Sequence, residues 1–203
     1  MILVANEFFD ALPVHQYLRT QQGWRERQVG LDGERLIWGL SGVLPVAPGT
    51  DRGDWYERSP QSEIVLDQIA ARLRTSAGGA LVIDYGYTLV DRPSGPTLQA
   101  VKGHDHADPL AEPGDADLTW LPDFDALAAR LGRRARVSEQ GAFLASLGIG
   151  PRAQQLVDRN PGQADAIADA LERLTAPDQM GRLFKVASVL SGGLGRKDPE
   201  MPR

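Results

Sequence analysis

Continuous apolar runs and amphipathic stretches alternate along this chain. Residues 2–5 and 80–83 are uninterrupted apolar runs, typical of strands that are covered on both faces. Between them, an apolar stripe at helical spacing starts at Ser59 and Pro60 and ends before Gly78. The order of strand, helix, glycine turn and strand predicts an α/β fold with a sheet.

The rest of the pattern predicts a single domain over residues 1–190. Its elements are, in order, a short helix or turn at 14–18, a β-hairpin at 25–38 that turns at Asp32 and Gly33, a loop at 41–54, a polar turn-rich segment at 88–117, a helix at 124–131, a strand at 135–139, a helix at 142–147, a helix at 161–174 and a strand at 183–190. Residues 191–203 have little apolar surface to bury and are predicted to be a disordered tail.

Composition narrows the classes of function. The net charge of −5 gives no reason to expect nucleic-acid binding, and the basic residues Arg130, Arg133, Arg134 and Arg136 are interpreted as a solvated face. With no cysteine, the chain has no disulfide, thiolate metal site or cysteine nucleophile. It has neither an apolar stretch of the roughly 20 residues that span a bilayer nor a signal-peptide pattern, so we predict a cytoplasmic location.

Acidic residues follow both apolar runs, at the strand ends where ligands bind in open α/β sheets. Glu7 and Asp10 follow the first run, and Asp84 follows the second. Two carboxylates in one crevice suit a guanidinium, which they could orient and deprotonate. In the alternative interpretation, Asp10 caps the next turn and Glu7 is merely exposed. Phe8 and the following Phe9 are then core residues, although one of them could wall a pocket.

One dense group of metal-ligand types lies in the polar segment: His104, Asp105, His106 and Asp108. Such spacing could bind a transition metal, but exposed polar side chains in a loop are expected without one, so we predict no metal site. No Gly-x-Ser-x-Gly elbow or phosphate-binding loop is present, and hydrolase and nucleoside-triphosphatase functions find no support.

Several motifs resemble the MidA family of S-adenosyl-L-methionine (SAM)-dependent methyltransferases. The most specific is the run Asn6-Glu7-Phe8-Phe9-Asp10-Ala11-Leu12-Pro13. Further segments agree in the same order: 57–60, 80–86 ending in Asp-Tyr-Gly, 103–104, 108–110, 113–119, 140–149 and 180–186. The resemblance covers nearly the whole chain apart from the tail.

The resemblance implies an α/β fold that is the C-terminal part of a Rossmann-like class I methyltransferase, with a β-hairpin insertion at about residues 25–40. It implies methylation of a protein arginine side chain, with SAM as cofactor and a respiratory complex I subunit as a possible partner. Glu7 and Asp10 are the expected catalytic residues. The expected substrate-binding residues are Asn6, Phe8, Asp84 and Tyr85.

Two departures from the family pattern qualify this expectation. The Gly-rich SAM-binding loop is absent, and Gly23, Gly30 and Gly33 do not replace it, so no cofactor-binding residue is assigned. The family usually has His two residues after the equivalent of Thr119, where this chain has Leu121. We therefore expect a missing half to complete the enzyme. The alternatives are a non-catalytic binding or assembly module, or a truncated product that is inactive alone and exposes a sheet edge.

Overall fold

The computed structural model describes residues 1–49, 53–103 and 105–191. Its strands are β1 (Ile2–Asn6), β2 (His15–Thr20), β3 (Gly23–Asp32), β4 (Arg35–Leu40), β5 (Trp55–Arg58), β6 (Gly78–Tyr85), β7 (Gln99–Lys102), β8 (Asp105–Ala107), β9 (Asp117–Thr119), β10 (Arg136–Glu139) and β11 (Phe184–Ser191). Its α-helices are α1 (Pro60–Thr75), α2 (Phe124–Leu131), α3 (Gln140–Ser146), α4 (Ile149–Arg159), α5 (Ala164–Thr175) and α6 (Met180–Leu183). The predicted α/β class is confirmed.

The chain forms two compact units that are interleaved in sequence. Within the described residues, one unit consists of residues 1–6, 64–83 and 124–191, and the other consists of residues in the ranges 7–63 and 84–123. The predicted domain boundaries, including a hairpin insertion at about 25–40, stay predictions. Residues 192–203 of the predicted tail lie outside the described residues.

The first unit is built on a four-stranded sheet in the order β1-β6-β11-β10. β1 runs parallel to β6, and β10 runs antiparallel to β11. Helix α1 starts where Ser59 caps it, since the Ser59 hydroxyl accepts a hydrogen bond from the Ser62 amide over 3.2 Å. The predicted apolar face of α1 is confirmed as buried; its members are Leu66, Ile69, Ala70 and Leu73.

Strand β1 differs from its prediction. It lies at the end of the sheet order, and Ile2 and Val4 on one face are 90% and 62% exposed. The expectation that this run is covered on both faces is therefore wrong for the described residues, because the face that carries Ile2 and Val4 is exposed.

The second unit contains two antiparallel sheets, in the orders β4-β3-β2-β5 and β8-β7-β9. The predicted hairpin is β3 and β4, but its two-residue loop is Gly33-Glu34, because Asp32 pairs with Arg35. Only Gly33 has a positive φ in this loop, 61°. The loop is therefore not the type I′ turn that an Asp-Gly pair typically predicts, since such a turn needs positive φ at both central residues. The helix or turn expected at 14–18 is also wrong, since residues 15–18 belong to β2.

The helices near the end of the described chain agree with the prediction in part. α5 and the preceding 3₁₀ turn, Pro161–Gln163, match the predicted helix at 161–174. α4 was not predicted as a helix. None of the helices in the described ranges combines the length and the hydropathy that a membrane span requires.

Candidate functional site

The loop after β1 carries the acidic residues that the sequence singled out. β1 and β6 are parallel neighbours, and the last residue of β1, Asn6, pairs with Ile83. Glu7 and Asp84 each follow one of these paired residues, so both lie at the carboxyl end of the paired strands. The Glu7 side chain is exposed, and its φ of 47° is the only positive value at a non-glycine residue in the described chain. L-residues rarely adopt this conformation, and such strain occurs most often at functional sites.

Asp84 is completely buried, at 0% exposure. Its Oδ2 atom accepts three backbone hydrogen bonds, from the amides of Phe8 at 3.2 Å, Phe9 at 2.9 Å and Asp10 at 3.2 Å. Its Oδ1 atom is buried and has no hydrogen-bond partner in the described residues. Burial, followed by the nearby Asp10 carboxylate, raises the pKa of Asp84 to about 7, although the three amides act in the opposite direction.

Asp10 is 7% exposed and is tied to a distant segment. Its Oδ2 atom accepts a hydrogen bond from the Thr119 hydroxyl at 2.8 Å, and its carbonyl oxygen accepts one from the Trp120 amide at 3.2 Å. Like Asp84, it has a buried Oδ1 atom that lacks a partner among the described residues. Neither side-chain oxygen caps the turn that follows, so the alternative interpretation of Asp10 as a cap is wrong.

The two phenylalanines of this loop divide between core and surface. Phe9 is fully buried, whereas Phe8 is 42% exposed, and their rings meet edge to face with centroids 5.2 Å apart. Tyr85, the last residue of β6, is half-buried, and Asn6 is exposed. Catalysis by Glu7 and Asp10 stays a prediction. Substrate binding also stays a prediction for the four residues expected to take part in it: Asn6, Phe8, Asp84 and Tyr85.

The Thr119 contact was missed by the sequence analysis, and so was a second, half-buried network. Glu57 accepts hydrogen bonds from Gln16 Nε2 at 2.6 Å and from both the amide and the hydroxyl of Thr97, at 3.0 and 2.6 Å. The Thr97 hydroxyl in turn accepts the Leu121 amide at 2.9 Å. Glu57 opens one of the motifs that carried the family resemblance, which was the available signal; no local pattern linked it to Thr97.

Two other features lie apart from this loop. His104 of the possible metal-ligand group lies outside the described residues, and within those residues no three His, Cys, Asp or Glu side chains are placed to hold a metal ion. A hollow of about 340 Å³ is lined in part by Trp55 and Arg92. The Arg92 guanidinium donates a hydrogen bond there to the Trp55 carbonyl oxygen at 2.8 Å.

Comparison with known sequences gives a consistent result. Residues 1–142 match the sequence model of a family described as "Putative S-adenosyl-L-methionine-dependent methyltransferase". The chain is 33% identical over 202 residues to the mitochondrial protein arginine methyltransferase NDUFAF7 of Danio rerio, covering 94% of this chain and 47% of that protein. The human protein of the same name is 31% identical over 199 residues, covering 92% of this chain and 44% of its own length.

Solved structures agree with the sequence comparison. A Burkholderia thailandensis protein bound to S-adenosyl-homocysteine superimposes with a TM-score of 0.82 at 24% identity, covering 96% of this chain and 54% of that one. A second crystal structure from the same organism gives a TM-score of 0.84 at 25% identity, with 96% and 56% covered. The predicted Rossmann-like methyltransferase fold is confirmed. The chain spans about half the length of the relatives it matches.

The comparisons also correct one prediction. The cytoplasmic location, inferred from the lack of a bilayer-spanning stretch and of a signal-peptide pattern, is contradicted, because the relatives from Danio rerio and Homo sapiens are both named as mitochondrial proteins. Neither pattern distinguishes cytoplasmic from mitochondrial proteins.

Proposed function

We propose that this chain, which belongs to the MidA-like family of SAM-dependent methyltransferases, is the substrate-facing part of one of them. The proposed whole enzyme is a protein-arginine methyltransferase. The relatives are named protein arginine methyltransferases, which supports arginine as the acceptor. The observation that carries the proposal is Glu7: an exposed carboxylate, held in a strained conformation, on the loop that follows a strand of an α/β sheet.

Glu7 binds the guanidinium in this proposal. A carboxylate matches a guanidinium by paired, charge-assisted hydrogen bonds, and exposure leaves the Glu7 side chain accessible to a protein substrate. SAM supplies the methyl group when the complete enzyme binds it. Methylation of a guanidinium nitrogen releases one proton, and Glu7 is the group that accepts it.

Asp10 takes a supporting part in this division of roles. Its carboxylate is buried and accepts the Thr119 hydroxyl, whereas the Glu7 side chain is exposed.

We propose that the described residues do not hold SAM by themselves. Nucleotide-type cofactors typically bind where a Gly-rich turn leads from a strand into a helix. In the described residues β10 leads directly into α3, and Gly141 is the second residue of that helix. A Cβ built on Gly141 would lie 2.5 Å from the Thr175 carbonyl oxygen, so this glycine serves close packing against the end of α5.

The position of β1 at the end of the sheet order supports completion of the sheet by another segment. Ile2 and Val4 are exposed on one face, and β6 is the strand that pairs with β1 in the described residues. Parallel sheets in α/β proteins are normally covered on both faces. Since the relatives are about twice as long, we propose that a segment equivalent to their remaining half pairs with β1 and brings the Gly-rich loop.

Calorimetric titration with SAM tests this completion. The chain is titrated alone and then together with an N-terminal half taken from a relative. We expect heat of binding only in the second titration. Binding by the chain alone would contradict the proposed division, because the cofactor site would then lie within these residues.

The catalytic role of Glu7 is tested in the completed enzyme with an arginine-containing peptide and with radiolabelled SAM. Glu7→Gln keeps the shape but removes the proton acceptor, and we expect kcat to fall by about 10²-fold or more. Asp108→Asn is the matched control, since Asp108 is an exposed acid whose Oδ1 accepts the nearby Leu110 amide at 2.9 Å. An unchanged kcat in Glu7→Gln would contradict the assignment.

A second candidate function is a non-catalytic binding or assembly module for a respiratory complex I subunit. The observation that favours it is Leu121, which stands two residues after Thr119, where the family resemblance leads to the expectation of a histidine. Saturable binding of such a subunit that does not change with SAM, together with absent methyl transfer in the completed enzyme, would select this function.

A further inference from the structure

The three amides on Asp84 give this residue a specific part in the candidate site. We propose that Asp84 is a positioning residue, which fixes the loop that presents Glu7, and that it does not contact the substrate. This inference rests on the proposed function for its catalytic meaning. Its structural content, a clamp on three successive amides, is independent of that function.

The burial of Asp84 argues against a substrate contact. With 0% exposure, neither of its oxygen atoms is accessible from solvent, whereas Glu7 is exposed. One oxygen accepts the amides of Phe8, Phe9 and Asp10 within 3.2 Å, which occupies it fully. A guanidinium would have to displace these amides and leave buried N–H groups without partners, at considerable cost.

The geometry of the clamp explains how it acts on Glu7. Three consecutive N–H groups can converge on one oxygen only if the backbone curls around it, as in the anion-binding concavities called nests. Glu7 is the residue immediately before the first clamped amide, and it has the left-handed φ of 47°. Since such a conformation is unfavourable in an unconstrained chain, the clamp helps to hold Glu7 in it.

Asp10 and Thr119 extend the same arrangement. The third clamped amide belongs to Asp10, whose side chain accepts the Thr119 hydroxyl and whose carbonyl accepts the Trp120 amide. The loop is therefore fixed by Asp84 through its amides and by residues 119–120 at its far end. Glu7 precedes the clamped amides, and its side chain is exposed.

Amide hydrogen exchange on the 203-residue chain, followed by NMR, tests the clamp directly. In the unmodified chain we expect the amides of Phe8, Phe9 and Asp10 to exchange at least about tenfold more slowly than that of Ala11. Asp84→Ala removes the acceptor, and exchange at the three amides should accelerate by at least about tenfold. Asp84→Asn keeps a carbonyl oxygen for the same amides and should restore slow exchange.

The effect of Asp84 on catalysis is then measured in the completed enzyme. Asp84→Ala should lower kcat, and Asp84→Asn should recover most of it, whereas Glu7→Gln should lower kcat while leaving exchange at the three amides unchanged. Slow exchange that persists in Asp84→Ala would overturn the clamp. If that variant does not fold, equal exchange of Ala11 and the three amides in the unmodified chain would do the same. Absence of methyl transfer in every sample, with the exchange pattern as expected, would count against the proposed function alone.

Discussion

The hydroxyl of Thr119 donates a hydrogen bond of 2.8 Å to Oδ2 of Asp10, joining residues that are 109 positions apart. The contact brings the end of β9 to the loop that follows β1. It gives a buried carboxylate its one side-chain donor in the described structure, because the other oxygen of Asp10 has no partner there. A buried carboxylate without donors is costly, so this single hydroxyl affects both the stability and the orientation of the loop.

Replacement of Thr119 tests that contact. Thr119→Val keeps the shape of the side chain but removes the donor, and we expect the free energy of unfolding to fall by about 1–3 kcal/mol. Thr119→Ser retains the hydroxyl and should lose less. Urea denaturation followed by circular dichroism measures both variants. Equal losses in Val and Ser would mean that packing of the methyl group, rather than the hydrogen bond, determines the effect.

A second prediction concerns Glu57, which accepts three hydrogen bonds from Gln16 and Thr97. Glu57→Ala leaves these donors without their acceptor, and we expect a loss of about 2–3 kcal/mol in the free energy of unfolding. Glu112→Ala is the control, because Glu112 is an exposed acid of the same unit and its ion pair with Lys102 contributes little. A loss in Glu57→Ala no larger than that of the control would contradict the importance of the network.

Neither of these two contacts was predicted from the sequence, although other features of the fold and the site were. The apolar face of α1 followed from helical periodicity, and the acids at the ends of β1 and β6 followed from the position of strand ends in an α/β fold. The Thr119–Asp10 and Glu57–Thr97 contacts depend on pairing between distant segments, which no local pattern encodes. The same reason explains the error at β2, since His15–Thr20 becomes a strand by pairing with β3 and β5.

Stability should depend on pH through Asp84. Because its pKa is raised from 3.8 to about 7, the folded chain binds more protons than the unfolded chain between these values. Its contribution to stability is therefore complete below about pH 4 and is lost as the pH rises toward 7, by at most about 1.4 kcal/mol per pH unit. Asp84→Asn should remove this slope.

Urea midpoints measured at intervals from pH 4 to pH 8 check this prediction. Other carboxylates contribute their own slopes, so the useful quantity is the difference between the unmodified chain and Asp84→Asn. Asp67→Asn is the control, because Asp67 is an exposed acid paired with Arg130 at 3.0 Å. A difference curve that is flat for Asp84→Asn over this range would show that Asp84 ionises with an ordinary pKa.

The strained backbone at Glu7 yields the last prediction. At a φ of 47°, glycine is accommodated without the steric cost that any side chain with a Cβ incurs, which is about 1–2 kcal/mol. Glu7→Ala and Glu7→Gly remove the same carboxylate, so their difference isolates the backbone strain. We expect Glu7→Gly to be more stable than Glu7→Ala by about 1 kcal/mol in urea denaturation, after the greater entropy of glycine in the unfolded chain is subtracted. Both variants should lose methyl transfer in the completed enzyme, because the strain serves a side chain that catalysis needs. If Glu7→Ala proved as stable as Glu7→Gly, residue 7 would not hold a left-handed conformation in solution, and the argument from strain to function would fail.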